Sequence, residues 1–194
     1  MPRLGMEPIR REALVKATIA EIGEAGTLDV TVNRIAKRAG MSSALAHHYF
    51  GGKDDIFLAA MRHVLTVYGA EVRGALIMAA DPRSRVEAII RASFSDTSFR
   101  QEVIAAWLNF YVMALSSAPA KRLLLIYQRR IRSNLCHGLR PLLGARAGGV
   151  AENIAALIDG GYLRQSLGQE TVDGAKAIEI VMQYLDLELE RGSA

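Results

Sequence analysis

The chain has 194 residues, 51% of them hydrophobic, so it is long enough for a small helical domain and a larger packed one. Its single cysteine excludes an intramolecular disulfide and fits a reducing compartment, and its formal net charge of +4 favours a polyanionic partner. No leader opens the chain and no apolar run approaches ~18 residues, so we expect a cytoplasmic protein without a membrane partner.

Hydrophobic residues recur at helical spacing along the whole chain, and strand-like alternation is absent. We therefore predict an all-α fold, with an N-terminal three-helix domain at residues 1–53 and a larger helical domain at residues 54–194. The predicted helices span about residues 7–26, 32–39, 43–50, 54–80, 82–97, 100–116, 119–143, 150–166 and 172–190.

The segment from Thr31 to Lys53 is typical of two short helices around a tight turn. Thr31 can cap the first helix, Gly40 falls at the turn, and Ser42 can cap the second helix. A turn of about three or four residues that contains glycine is the connection in a helix-turn-helix. The spacing predicts DNA binding, and an ordinary surface hairpin of two helices is the alternative.

The second helix of this pair supplies the candidate DNA contacts. Serine and histidine can hydrogen-bond base edges or phosphates, and alanine permits close approach. Because no arginine lies on this helix, we expect a modest readout through apolar, water-mediated or shape-dependent contacts. Adjacent helical residues point about 100° apart, which disfavours a metal site at the histidine pair. The projecting residues are Ser42, Ser43, Ala44, His47 and His48.

The end of this segment resembles the DNA-binding domain of the TetR family of one-component repressors. The family pattern ends in an aromatic run, a phenylalanine and a lysine three residues later. Here that ending is His48, Tyr49, Phe50 and Lys53. The chain departs from the pattern at Gly51 and Gly52, where polar or charged residues are usual. Ala44 also replaces a common glycine. The resemblance implies a helix-turn-helix with backbone or phosphate contacts by Thr31, Arg34, Tyr49 and Lys53.

The N-terminus, MPRLGMEPIRR, is similar to that of the choline-responsive Bet repressors within this family, which control choline uptake and glycine betaine synthesis. The similarity continues at WLNFY (107–111) and RRIRSNL (129–135). It implies a transcriptional repressor whose repression is relieved by choline, with a C-terminal ligand-sensing and dimerisation domain at residues 54–194. The N-terminal residues that carry it are Pro2, Leu4, Gly5, Met6, Ile9, Arg10 and Arg11.

Three aromatic residues follow one another at helical spacing in the larger domain. Trp107, Phe110 and Tyr111 lie at i, i+3 and i+4, so their rings share one face of a helix. Such a stripe is most often core packing. Aromatic faces also attract quaternary ammonium groups, and choline suits such a cage. On that hypothesis Tyr127 adds a wall and Glu102 balances the charge.

Charge is distributed unevenly along the chain. Residues 1–53 carry a net charge of +3, residues 119–147 carry +7, and residues 148–194 carry −5. A second DNA-contacting surface on the basic helix is one interpretation, and a solvated face that pairs with the C-terminal acids is the favoured one. The basic residues of that helix include Lys121, Arg122, Arg129, Arg130 and Arg132.

The last two predicted helices carry apolar stripes that can pair with a second copy as a four-helix bundle, and the family resemblance favours this. A twofold homodimer would present two recognition helices about 34–36 Å apart, or a multiple of it, to a near-palindromic operator. Gly160 and Gly161 lie inside the first of these helices, where they permit either a close crossing or a kink.

Three alternatives stay open at this point. An enzyme is disfavoured because the chain has no G-x-S-x-G elbow, no H-E-x-x-H motif and no phosphate loop of proper spacing. The second alternative is a TetR-like repressor that senses another cationic or apolar small molecule, with the same fold and the same DNA binding. A helical module without DNA binding is disfavoured by the helix-turn-helix. No cofactor is expected, with choline as effector only.

Overall fold

The computed structural model describes residues 6–168 and 173–191, apart from the side chain of Ser166. These residues form nine α-helices and no strand, which confirms the all-α prediction. Pro2, Leu4 and Gly5 of the N-terminal motif lie outside the described residues. The helices are α1 (Met6–Ala25), α2 (Val32–Arg38), α3 (Ser43–Phe50), α4 (Lys53–Met78), α5 (Pro82–Ser93), α6 (Gln101–Ser116), α7 (Ala118–Leu143), α8 (Ala147–Leu167) and α9 (Gly174–Glu190).

Side-chain caps fix the starts of the short N-terminal helices. The Thr31 hydroxyl accepts a hydrogen bond from the Arg34 amide at 3.2 Å, and the Ser42 hydroxyl accepts one from the Leu45 amide at 3.3 Å. Each cap satisfies an amide that has no partner within its helix. Gly40 has φ +68°, a backbone conformation that only glycine adopts at low cost, so α2 ends and α3 begins within four residues.

Two boundaries differ from the sequence prediction. α5 ends at Ser93 instead of near residue 97, because Phe94 turns inward and its ring meets the Phe99 ring at 5.0 Å. α8 begins at Ala147 instead of near residue 150, because Gly144, with φ +54°, leads through a single 3₁₀ turn directly into it.

The helix α4 connects the two parts of the molecule, since it packs on α1 at its start and on α5, α6 and α7 further along. The core of the larger part lies where α5 to α8 meet. No helix among residues 6–168 and 173–191 combines the length and the apolar content that a membrane span requires. The largest fully buried side chains of this core are Ile89, Ile90, Ile104, Phe110, Leu135, Leu139, Ile154 and Ile158.

Candidate DNA-binding surface and ligand site

The helices α2 and α3 pack against each other through their small and apolar residues. Ile35, Ala36 and Ala46 are fully buried, and the Met41 amide donates to the Ala36 carbonyl at 2.9 Å across the turn. Because the face of α3 that contains Ala46 packs against α2, the opposite face of α3 is exposed to solvent. The predicted contacts Ser42, Ala44, His47 and His48 are exposed there, while Ser43 and Tyr49 are half-buried.

Some of these predicted contacts already have partners within the protein. The Ser43 hydroxyl donates to the Asn33 side-chain oxygen at 2.9 Å. His47 Nδ1 lies 2.6 Å from the Gly51 carbonyl oxygen at the end of α3, which fixes its ring. Ala44 in the first turn of α3 and His48 further along it remain as exposed positions. The caps Thr31 and Ser42 still have hydroxyl protons to donate to phosphate.

Arg34 is engaged by a carboxylate that the sequence analysis did not identify. Glu21 on α1 has a side chain only 6% exposed. Its Oε2 atom forms an ion pair with Arg34 Nη2 at 2.8 Å, and its Oε1 atom accepts a hydrogen bond from Arg38 Nε at 2.6 Å. Arg38 also pairs with Glu24, and hydrogen bonds to these two carboxylates raise the pKa of Arg38. This network fastens α2 to α1, so a phosphate contact by Arg34 has to compete with Glu21.

Lys53 occupies the first position of α4, with its ammonium nitrogen 5.6 Å from the centre of the Phe57 ring. The two preceding glycines, which depart from the family pattern, make the turn that brings it there. Gly51 has φ +80°, which a residue with a side chain adopts only with strain, and the Gly52 amide donates to the Asp55 carboxylate at 3.3 Å.

Arg11 on α1 supports the end of α3. Its Nη1 atom donates to the Tyr49 carbonyl at 2.6 Å, and its guanidinium lies 4.4 Å from the centre of the Phe50 ring. The bond satisfies a carbonyl in the last turn of the recognition helix. The N-terminal resemblance contained Arg11 but gave it no role, because nothing in the sequence indicated which helix it contacts.

The structure brings the four predicted ligand residues together. The Trp107 ring centre lies 4.7 Å from that of Tyr127, 5.7 Å from Tyr111 and 6.0 Å from Phe110. All except Tyr111 are buried. Tyr68 on α4 adds an edge contact to Tyr127 at 5.9 Å. The cluster therefore joins α4, α6 and α7.

Tyr162 on α8 completes the cluster from the other side, with its ring centre 6.3 Å from that of Trp107. Its hydroxyl donates to the Ser93 carbonyl at 2.5 Å, and the Tyr68 hydroxyl lies 3.1 Å from Ser93 Oγ. Burial raises the pKa of Tyr68 to about 12 and that of Tyr162 further, so both hydroxyls stay protonated.

Asp159 is the carboxylate that forms a hydrogen bond with this cluster. The Tyr111 hydroxyl donates to Asp159 Oδ1 at 3.0 Å. Burial raises the pKa of Asp159, although the hydrogen bond from Tyr111 acts in the opposite direction. Glu102, which the sequence analysis proposed for charge balance, instead packs against Gly23 of α1 and pairs with Arg100 at 3.1 Å. It does not join the aromatic cluster.

A cavity of about 570 Å³ lies between α4 and α7, beside Tyr68 and Tyr127. Arg62, Arg73 and Arg130 line it, so its charge opposes a cationic ligand. Within the described ranges, no three histidine, cysteine or acidic residues lie close enough together to hold a metal ion. Of the cavity and the aromatic cluster, it is the cluster with Asp159 that can attract a cation.

Comparisons with known proteins match both parts of the chain. Residues 14–60 match the tetR family of bacterial regulatory proteins, and residues 82–190 match the C-terminal domain of BetI-type transcriptional repressors. The HTH-type transcriptional regulator BetI of Brucella melitensis is 52% identical over 190 residues, which are 97% of this chain and 96% of that protein.

Solved structures share the fold along nearly the whole chain. A transcriptional regulator from Pseudomonas aeruginosa PAO1 has a TM-score of 0.78 at 28% identity, covering 98% of this chain and 96% of that one. A transcriptional regulator from Saccharomonospora viridis in complex with choline has a TM-score of 0.78 at 19% identity, covering 91% and 95%. At 19% identity the second likeness shows the fold alone.

Proposed function

The chain belongs to the TetR family and has the C-terminal domain of BetI-type transcriptional repressors, and from this premise we propose that it represses genes of choline uptake and glycine betaine synthesis, with repression relieved by choline. Its relatives are transcriptional regulators and not enzymes. The geometry that carries the choline assignment is the aromatic cluster around Trp107 with Asp159 beside it.

The chemistry of this cluster suits a quaternary ammonium ion. A trimethylammonium group has no conventional hydrogen-bond donor, so it gains more from aromatic faces and a nearby carboxylate than from hydroxyl or carbonyl partners. Tyr111 and Trp107 supply the faces, and Asp159 supplies the negative charge. The BetI names of the relatives support the same ligand. The S. viridis regulator, which shares the fold, is in complex with choline.

Choline binding has to separate rings that now touch. The Trp107 and Tyr127 ring centres are 4.7 Å apart, which leaves no room for a trimethylammonium group between them. Displacement of Tyr127 pushes on Tyr68, because their rings are in edge contact. Tyr68 belongs to α4, whose first residue is Lys53, so the movement reaches the DNA-binding part. If this movement weakens operator binding, operator must weaken choline binding by the same factor.

We further propose a homodimer through α8 and α9. On α8, Leu163 and Leu167 are exposed at i and i+4, and on α9, Ile180 and Leu187 are exposed two turns apart. Large apolar side chains in such stripes mark an interaction surface, and a twofold axis is the commonest arrangement for identical chains. A dimer would place two α3 helices on one duplex, which matches the DNA-binding mode of helix-turn-helix proteins.

The proposal is tested by titrating the full-length protein onto a fluorescent duplex from its own upstream region, at fixed salt, with and without choline. A scrambled duplex controls for nonspecific binding. Ethanolamine, which lacks the three N-methyl groups of choline, tests whether the quaternary ammonium group is required. We expect selective binding that choline weakens or alters and that ethanolamine leaves unchanged. The Trp107→Ala variant, folded as judged by circular dichroism, should bind the duplex and no longer respond to choline.

Two results would contradict parts of the proposal. Selective DNA binding that is indifferent to choline would mean a repressor with another effector. A choline response that survives in Trp107→Ala would place the ligand outside the aromatic cluster.

A further inference from the structure

The cavity between α4 and α7 has the form of a second ligand site, which shares only Tyr68 and Tyr127 with the choline proposal. Its volume of about 570 Å³ falls within the range of small-molecule pockets, about 300–1,000 Å³. Two helix faces form it, with residues at i, i+4, i+7 and i+11 on each. From α4 these are Arg62, Thr66, Gly69 and Arg73, and from α7 they are Leu123, Tyr127, Arg130 and Asn134.

The lining combines an apolar surface with unpaired positive charge. Leu65, Val72, Leu123, Ile126 and Ile131 supply aliphatic walls, and Ile126 is exposed although large and apolar. None of the aspartates and glutamates among residues 6–168 and 173–191 lines the cavity. Within the part of the chain that the structure describes, Arg62, Arg73 and Arg130 have no carboxylate partner, unlike Arg83 and Arg132, which pair with Glu87 and Glu152.

The helix directions place the charges at defined ends of the cavity. The Tyr68 and Tyr127 rings mark the same level of α4 and α7, because they are in contact. The two helices run in the same general direction, since Gly138 near the end of α7 packs on Pro82 and Val86, just beyond the end of α4. Arg73, Arg130 and Asn134 therefore lie on one side of the tyrosine pair, and Arg62 and Leu123 lie on the other.

We propose that this cavity binds an amphipathic anion, a carboxylate joined to an apolar body. Arg73 and Arg130 contact the carboxylate, with Asn134 as a further donor, and the apolar body lies along Tyr68, Val72 and Ile126. Guanidinium groups recognise carboxylates through paired charge-assisted hydrogen bonds. The site is separate from the cation site at Asp159, whose charge is opposite, and shares only the wall formed by Tyr68 and Tyr127.

Three probes of equal chain length separate charge from apolar burial: octanoate, octan-1-ol and octyltrimethylammonium. Each is titrated into the full-length protein by calorimetry at fixed ionic strength. Trp107 is the only tryptophan and its ring lies 4.7 Å from that of Tyr127, so its fluorescence gives a second readout. The test variant is the double substitution Arg73→Met and Arg130→Met. The matched control is Arg122→Met, which removes an exposed charge from α7 outside the cavity.

We expect saturable octanoate binding that the double variant weakens about tenfold or more and that Arg122→Met changes less than about twofold. Octan-1-ol should bind at least about tenfold more weakly than octanoate, and any binding of octyltrimethylammonium should be insensitive to the double variant. The proposal is overturned if octanoate does not bind saturably, if octan-1-ol binds equally well, or if the double variant and Arg122→Met behave alike. None of these outcomes depends on whether choline is the effector.

Discussion

Arg11 and Tyr49 connect the first helix to the recognition helix through one hydrogen bond of 2.6 Å, from the Arg11 guanidinium to the Tyr49 carbonyl. The same guanidinium lies over the Phe50 ring. Tyr49 and Phe50 belong to the motif that carries the family resemblance. The orientation of α3 thus depends on a residue near the N-terminus that itself need not touch DNA.

Arg11→Met should weaken operator binding and destabilise the protein by about 1 kcal/mol, since it removes a charge-assisted hydrogen bond and a cation–π contact. Arg11→Lys should recover only part of the loss, because an ammonium cannot form the same planar contacts. The measurements are duplex titration and thermal unfolding. Arg10→Met is the control, since Arg10 is exposed and the substitution removes the same charge. Equal effects at both positions would show that Arg11 acts through charge alone.

Residues close in sequence could be predicted to act together, and residues distant in sequence could not. The caps Thr31 and Ser42 follow from propensity and spacing within one turn, and the structure forms both hydrogen bonds. The stripe of Trp107, Phe110 and Tyr111 follows from helical periodicity in the same way.

The charge partner of that stripe had no local signal. Asp159 is 48 residues from Tyr111, and only the packing of α8 on α6 brings them together. Glu102 was proposed because it is near in sequence, but it lies on another face of α6, against α1. The predicted end of α5, near residue 97, lies beyond its observed end at Ser93 for a related reason. The apolar periodicity continues through Phe94, but the Phe94 ring packs on residues beyond the helix.

Choline affinity should fall as the pH is lowered through the raised pKa of Asp159, because protonation removes the charge that attracts the cation. Calorimetric titrations at several pH values measure it. Asp159→Asn should bind choline weakly and with little pH dependence. Glu152→Gln, an exposed neutralisation on the same helix, should behave as wild type. Wild-type affinity that is flat with pH would indicate that Asp159 does not face the ligand.

The raised pKa of Asp159 also predicts how folding stability depends on pH, with the opposite sign to choline affinity: stability decreases as the pH rises. The folded state binds the Asp159 proton more tightly than the unfolded state, whose pKa is near 3.8. The contribution of this group to stability is therefore greatest below pH 3.8 and is lost as the pH rises through the folded-state pKa. At neutral pH and without ligand, Asp159→Asn removes a buried charge and should therefore raise the Tm. The expected rise is about 2–4 °C for each ~1 kcal/mol gained in the free energy of unfolding. An unchanged or lower Tm in differential scanning calorimetry would contradict this.

The exposed stripe on α9 should be necessary for dimer formation. Ile180→Glu with Leu187→Glu places two charges in an apolar contact, which should shift sedimentation from dimer to monomer at micromolar concentration and weaken operator binding. Val112→Glu with Leu115→Glu on α6 is the control, because those side chains are at least as exposed. Dissociation by the α6 pair and not by the α9 pair would assign the dimer contact to a different surface.

Gly161 should be the position on α8 where a single methyl group is least tolerated. A Cβ atom there would lie 3.0 and 3.1 Å from two atoms of the Phe94 ring, which is itself packed against Phe99 and Tyr162. The glycine therefore serves close approach of a ring and not a kink, since α8 continues through it. Gly74 on α4 is the matched control, because a Cβ atom there meets no neighbouring atom of the described residues within 4 Å.

Gly74→Ala should stabilise the protein by about 0.5–1 kcal/mol through helix propensity alone. Gly161→Ala gains the same propensity but has to displace Phe94, and overpacking of this kind costs about 1–3 kcal/mol, so the net change should be destabilising. Urea unfolding of both variants gives the comparison. Because Phe94, Tyr162 and Trp107 are in one cluster, Gly161→Ala should also alter Trp107 fluorescence in the folded state, whereas Gly74→Ala should leave it unchanged. Equal stabilisation by the two substitutions would mean that the Phe94 ring yields freely and that the packing around Tyr162 is looser than these distances imply.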